Sequence, residues 1–275
     1  MASEDDIEVL RNIVDPIERG RRAGQLLNQY QQSANELARM RREAIEVAHE
    51  LYGLSYTQVA SELGLTKGRI SQIRTSAPPA ERVFFGVGPV TIIVPERIGV
   101  YGRRMAVVAS EDDATAEELR DLLTGLHLQA AKVRITPETT KIEEGDVVLV
   151  CGPTSAIVGA ILLETDPRVR IVATSKHLEV ADLASGLNYG SPMDAATPSD
   201  DDVAYLARRR QGGRVVVHIA GIHAAGSVGA AKYLTEHVGD LFRKLGDVSF
   251  SMIIGCSFEG THITSTRVIA GPYEW

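Results

Sequence analysis

The chain has 275 residues, 44% of them hydrophobic, and a formal net charge of −7. That length allows a small module plus a larger domain with its own core, and the apolar content excludes wholesale disorder. No apolar run reaches the roughly 20 residues a membrane helix needs, and the opening Met1-Ala2-Ser3-Glu4-Asp5-Asp6 is acidic with no apolar stretch behind it, so a cytoplasmic chain without a membrane partner is expected.

Residues 1–76 read as a helical module. Asp15-Pro16 is a helix start, with Asp as N-cap and Pro at the first helical position. Leu26, Leu27, Tyr30, Leu37, Met40, Ile45, Ala48 and Leu51 then recur at three- and four-residue steps, which predicts one buried face. Gly53 ends that helix. Ala77-Pro78-Pro79-Ala80 predicts a stiff linker over residues 77–82. Beyond it, over residues 83–275, apolar runs at 90–94, 105–109, 147–150, 169–173, 214–219 and 250–254 read as strands. Stretches at 114–126, 155–164 and 224–245 read as helices, and 189–202 as a surface loop. Near-continuously apolar strands alternating with helices predict an α/β domain with a largely parallel, Rossmann-like open sheet. The segments 249–256 and 262–270, joined through Phe258-Glu259-Gly260-Thr261, predict an antiparallel hairpin at its edge.

Within the helical module, residues 55–74 carry the pattern of a helix-turn-helix. Ala60 is small where two helices would touch, and Gly64 suits a tight turn. Val59, Leu63, Leu65, Ile70 and Ile73 fall where apolar residues would weld the pair, and Ser55 and Thr66 can N-cap the two helices. The outward residues of the second helix would then be Lys67, Gly68, Arg69, Ser71, Gln72 and Arg74, which are donors or small and include no carboxylate. With Thr57, Gln58 and Thr66 they form the expected double-stranded DNA contact set. An acidic chain is repelled by phosphate at long range, so binding must come from a local basic face. Arg39, Arg41, Arg42, Lys67, Arg69 and Arg74 concentrate in this module, while acidic clusters such as Glu111-Asp112-Asp113 and Asp200-Asp201-Asp202 lie elsewhere.

Leu54-Ser55-Tyr56-Thr57-Gln58-Val59-Ala60 followed by Leu63-Gly64-Leu65-Thr66 resembles the region-4 helix-turn-helix of sigma factors and the bacterial regulators that share it. Lys67-Gly68-Arg69-Ile70-Ser71-Gln72-Ile73, with Ala38-Arg39-Met40-Arg41-Arg42-Glu43-Ala44, resembles actinobacterial-type regulators in which such a module leads into an α/β domain. The resemblance implies a transcriptional regulator rather than a polymerase subunit, since no promoter-melting region is visible. One reading head buries little surface, so a homodimer is expected, with the long helix after Pro16 or its packing against the head as alternatives for that helix's role.

Two strand-to-helix junctions stand out in the α/β part. Cys151-Gly152-Pro153-Thr154-Ser155 follows one apolar strand, and Gly221-Ile222-His223-Ala224-Ala225-Gly226-Ser227 follows another. Glycine permits close approach and a helix start offers free N–H groups, which suits a small anionic or nucleotide-like ligand or a partner protein. The expected ligand set is Gly152, Pro153, Thr154, Ser155, Gly221, His223, Gly226 and Ser227. Asp194 is a further candidate contact or an ordinary turn residue, and His218 reads as structural. No cofactor fingerprint, Walker lysine, metal-ligand spacing or nucleophile elbow is present, so a sensor rather than an enzyme is expected. A nucleotide- or nucleoside-processing enzyme with an appended reading head is the alternative. Cys151 and Cys256 are expected as two buried thiols.

Overall fold

A computed structural model describes residues 4–100, 104–142 and 144–275. It comprises an N-terminal helical region and a mixed α/β domain. Helix α1 (Glu4–Asn12) precedes α2 (Pro16–Glu50), a single helix of 35 residues. The Asp15 carboxylate accepts from the Ile17 N–H at its start. Two short helices, α3 (Tyr56–Glu62) and α4 (Lys67–Ser76), follow. Gly64 turns the chain between them at φ +63°, a conformation that costs a side-chain-bearing residue dearly.

Ile45 of α2 meets Val59, Ala60, Ile70 and Ile73 of the short helices in a small core, with Ala48, Leu54, Tyr56 and Leu65 packed against it. Two expectations change here. Leu63 is 50% exposed and does not join this core. On α2 only Gln32 and Ile45 are buried; of its periodic apolar residues Leu27, Leu37, Met40 and Leu51 are exposed, while Leu26, Tyr30 and Ala48 are half-buried.

The Pro-Pro segment does not behave as a spacer. Residues Ala80–Phe85 form a 3-10 helix whose Arg82, Phe84 and Phe85 are buried in the α/β domain. Arg82 Nη2 donates to Gln32 Oε1 of α2 at 3.1 Å and to the Val87 carbonyl at 2.9 Å. The long helix is thereby tied to the domain beneath it.

The domain continues with β1 (Val90–Pro95), β2 (Arg97–Val100), β3 (Arg104–Val107), α5 (Ser110–Gly125), β4 (Ala130–Ile135), β5 (Asp146–Val150) and α6 (Ile157–Glu164). After these come β6 (Val169–Ala173), β7 (Leu178–Asp182), β8 (Leu187–Gly190), β9 (Asp201–Gln211), β10 (Arg214–Gly221), α7 (Ala224–Leu245), β11 (Phe250–Glu259) and β12 (His262–Glu274). The main sheet has seven strands in the order β12-β11-β9-β10-β5-β1-β4. β4, β1, β5 and β10 run parallel, while β9, β11 and β12 pair antiparallel.

The sheet is therefore mixed rather than largely parallel, and the difference lies in β9. Its Arg208-Arg209-Arg210 run looks like a surface segment, yet Arg208 and Arg209 are buried. Carbonyls of Phe84, Val83 and Val248 and the Asp247 carboxylate accept from the Arg208 guanidinium. Satisfied in this way, a charged side chain can sit in a central strand. The terminal hairpin of β11 and β12 does form the sheet edge. The runs at 105–109 and 169–173 lie outside the main sheet, in a β2-β3 pair and a three-stranded β6-β7-β8 sheet.

One face of the main sheet packs on α5 and α7 through Ile92, Val94, Val148, Leu119, Leu123, Leu234 and Phe250. The other is covered by α6 and the small sheet, through Ile93, Leu149 and Val158 and through Val169, Val180 and Tyr205. Among the described residues no helix is long and apolar enough to cross a membrane.

Candidate functional site

Two regions gather the residues singled out from the sequence. The first is the outer surface of α4. Ser55 caps α3 in a reciprocal box: its hydroxyl accepts from the Gln58 N–H, and the Gln58 side chain accepts from the Ser55 N–H at 2.8 Å. Thr66 caps α4 by accepting from the Arg69 N–H at 3.1 Å. Ile70 and Ile73 turn inward, which leaves Lys67, Gly68, Arg69, Ser71 and Gln72 exposed on the opposite side, with Thr57 exposed on α3.

Arg69 Nη1 donates to Gln72 Oε1 at 2.6 Å, so these two side chains lie together. Arg41 of α2 joins Arg69 along a shallow groove with Ala38 and Ser76. Arg74 takes another course. Its Nε donates to Glu46 Oε1 of α2 at 2.8 Å, and its guanidinium lies 4.1 Å from the Tyr56 ring centre. The Tyr56 hydroxyl donates to the same carboxylate at 2.9 Å. The Arg74 hydrogen bond holds the Glu46 carboxyl below its ordinary range. Arg74 thus fastens α4 to α2, and Gln58 and Thr66 are engaged in capping. Arg39 is likewise held, by Glu36 and Glu43. Arg41, Lys67 and Arg69 have no carboxylate partner among the described residues.

The second region is a cavity of about 150 Å³ at the carboxyl ends of three adjacent parallel strands. Strands β1 and β10 lead to α5 and α7 on one face, whereas β5 leads to α6 on the other. Connections that diverge to opposite faces open a crevice at the strand ends, where open α/β sheets bind ligands. Gly152, Pro153, Thr154, Ser155, Gly221, His223 and Ser227 all line it, so the fold brings seven of the eight expected residues together.

Gly226 is the exception. A Cβ there would lie 2.7 Å from the Val203 carbonyl and 2.8 Å from Asp202 Oδ2, so glycine is required by packing beneath α7. Gly221 is packed in the same way, with Ser227 N at 2.5 Å from such a Cβ and its own N–H donating to Ser227 Oγ at 2.9 Å. Gly152 differs from both. Its Cβ would meet only Gly221 O and Ser155 Oγ, each at 3.8 Å, and its φ needs no glycine.

Three further residues at the site carry no local signal in the sequence. Arg97 and Asp112 line the cavity and pair at 3.2 Å. Burial pushes the Asp112 carboxyl up, and Arg97 opposes that shift. Asp202, one residue of an acidic run, is buried and caps α7. Its Oδ2 accepts from the Gly226 N–H at 2.7 Å and the His223 N–H at 3.1 Å, and its Oδ1 from the Val203 N–H at 2.8 Å. His223 Nε2 reaches Asp194 Oδ1 at 3.0 Å, so Asp194 supports the site through His223. Beneath the floor, buried His218 bonds the Cys151 carbonyl through Nε2 at 2.8 Å, which fixes the neutral ring as the donor at that nitrogen. Burial lowers its pKa to about 4.

Burial also pushes the Cys151 thiol up to about 12, so it stays protonated near neutral pH. Cys256 is buried and free as well. Among the described residues no group of three or more His, Cys, Asp or Glu side chains could hold a metal ion. No protein-family model and no curated protein sequence matches the chain. What defines it is the architecture itself: a helical region joined to a mixed α/β domain with a polar cavity at a sheet switch point.

Proposed function

We propose that the chain is a DNA-binding transcriptional regulator in which α3 and α4 act as a helix-turn-helix and the α/β domain senses a small anionic metabolite. One observation carries the reading: the outer side of α4 offers Lys67, Arg69, Ser71 and Gln72 with no carboxylate among them, on a chain whose net charge is −7. A helix that merely completed a bundle would have no need of such a face. Arg and Gln suit guanine and adenine edges, and Lys67, with Arg41 alongside, suits phosphate. The similarity of residues 54–66 to sigma region 4 points the same way.

Arg74, Gln58 and Thr66 serve this reading by setting the angle of α4 rather than by touching DNA. Sensing is supported by the polar cavity, by Arg97 at its wall and by the start of the 22-residue helix α7 beside it. The protonated Cys151 thiol favours binding over nucleophilic chemistry there. Arg82, which links α2 to the domain core, gives the two parts a shared element through which unequal ligand affinity would bias the head.

Selection from a random duplex pool by the full chain tests the reading. Enrichment of a defined sequence, lost when Lys67 and Arg69 are both replaced by Ala, is the expected result. A pool no more enriched than that of the double variant overturns it.

A further inference from the structure

The polar cavity holds about 150 Å³, less than the roughly 300–1,000 Å³ of a pocket that encloses a whole metabolite. A space of that size takes a head group, and the body of any larger ligand must leave it. A second hollow, of about 240 Å³, opens beside it. His223 and Ala224, at the start of α7, line both spaces. The first turn of α5 supplies Asp112 to the cavity and Glu111 to its neighbour. The two spaces thus adjoin across His223, and taken together they reach the size of a ligand pocket. His223 Nε2, bonded to Asp194 Oδ1 at 3.0 Å, ties the ring at this junction to the turn that carries Met193.

Their chemistries are opposite. In the cavity the half-exposed Arg97 guanidinium has Asp112 as its one carboxylate partner, and the Thr154 and Ser155 hydroxyls have no hydrogen-bond partner among the described residues. These donors suit one oxyanion. A single arginine already facing a carboxylate, with no lysine in the lining, does not suit a polyphosphate. The neighbouring hollow is walled by Met193 and by Val228 of α7, with Phe258 and Ile263 of the β11–β12 hairpin. That set accepts a ring or a short branched chain. Glu111 at its edge repels a second anion, so the signs of the two ends fix which way a ligand lies.

We propose that the two hollows form one bipartite site for a small ligand with a single oxyanion head group and a ring-sized apolar body. The head group meets Arg97, Thr154 and Ser155, and the body lies between α7 and the β11–β12 hairpin. This rests on the sensing reading and narrows it: the cavity recognises the charge, and the apolar hollow selects among the molecules that carry it. A carboxylate and a phosphate monoester share that head-group chemistry.

Calorimetric titration of the full chain tests the proposal with acetate and inorganic phosphate as head groups alone, and phenylacetate and phenyl phosphate as the joined molecules. One joined molecule should bind about tenfold tighter than its own head group, as burial of a ring requires, and which of the two gains identifies the head. Arg97→Ala should weaken the head group and the joined molecule alike. Val228→Trp, which fills the apolar hollow, should abolish the gain of the joined molecule over its head group. Phe258→Ala, which removes a half-buried wall instead, should reduce it. Joined molecules that bind no tighter than their head groups overturn the bipartite site and leave anion sensing standing, as does a gain that survives both Val228→Trp and Phe258→Ala. Absence of binding by all four molecules overturns anion sensing and the bipartite site together.

Discussion

Replacing Asp202 by Ala removes a carboxylate that holds three backbone N–H groups, on His223, Gly226 and Val203. Two of those bonds cap α7, the helix whose first turn lines the cavity. Loss of an N-cap costs about 0.5–2 kcal/mol, and each buried donor left unmet about 1–3 kcal/mol. Two terms reduce the total. Burial already disfavours this carboxylate, as its raised pKa indicates, and water can enter beside the partly exposed His223. A net loss of about 2–3 kcal/mol is expected in urea unfolding. Asp202→Asn, which can keep the acceptor facing His223 and Gly226 but not both sets of bonds, should lose about half as much. A loss below about 0.5 kcal/mol for the Ala variant, the range of ordinary surface changes, would refute the assignment of Asp202 as a buried cap.

His218 should tie stability to acidity. Its pKa is lowered from 6.5 to about 4, so between those values the unfolded chain binds a proton that the folded chain refuses. Its effect is absent above pH 6.5, and as pH falls to about 4 it removes about 3 kcal/mol; unfolding of His218→Gln across that window should lack this component of the fall. Gly226→Ala should cost about 1–3 kcal/mol by overpacking against Val203 and Asp202, whereas Gly152→Ala should stay within about 0.5 kcal/mol of the parent in the same urea titration. Glu46→Ala should release Arg74 and Tyr56 together and lower the thermal midpoint slightly, since solvent screens these partners, and full retention would show that the clamp contributes nothing.

The parallel strands β1, β5 and β10 were legible because burial on both faces makes such strands almost uninterruptedly apolar. Strand β9 was not, since burial of Arg208 and Arg209 depends on carbonyls from Phe84, Val248 and Leu162, remote in the chain. β4 hid for a related reason: at the sheet edge its Lys132 and Arg134 dilute the apolar signal. The cavity walls could be read where strand, glycine and helix follow one another, at Gly152 and Gly221. Arg97 and Asp112 join that wall by tertiary folding alone, and no local spacing marks them. Asp202 was indistinguishable from its exposed neighbour Asp200, because only the position of α7 decides which carboxylate is buried. On α2 the periodicity predicts a buried face, yet Leu27, Leu37, Met40 and Leu51 are exposed, because spacing alone carries no information about what covers a stripe.

Duplex binding by the exposed side of α4 is read out by the salt dependence of affinity. Affinity of the full chain for a selected duplex should fall linearly on a log–log plot against salt, with a slope of about −0.9 per phosphate engaged. Lys67→Ala should lower the steepness by about one phosphate, and Arg69→Ala should cost about 1–3 kcal/mol of discrimination between bases. Binding that ignores salt, or that both variants leave unchanged, would rule out α4 as the DNA-contacting helix.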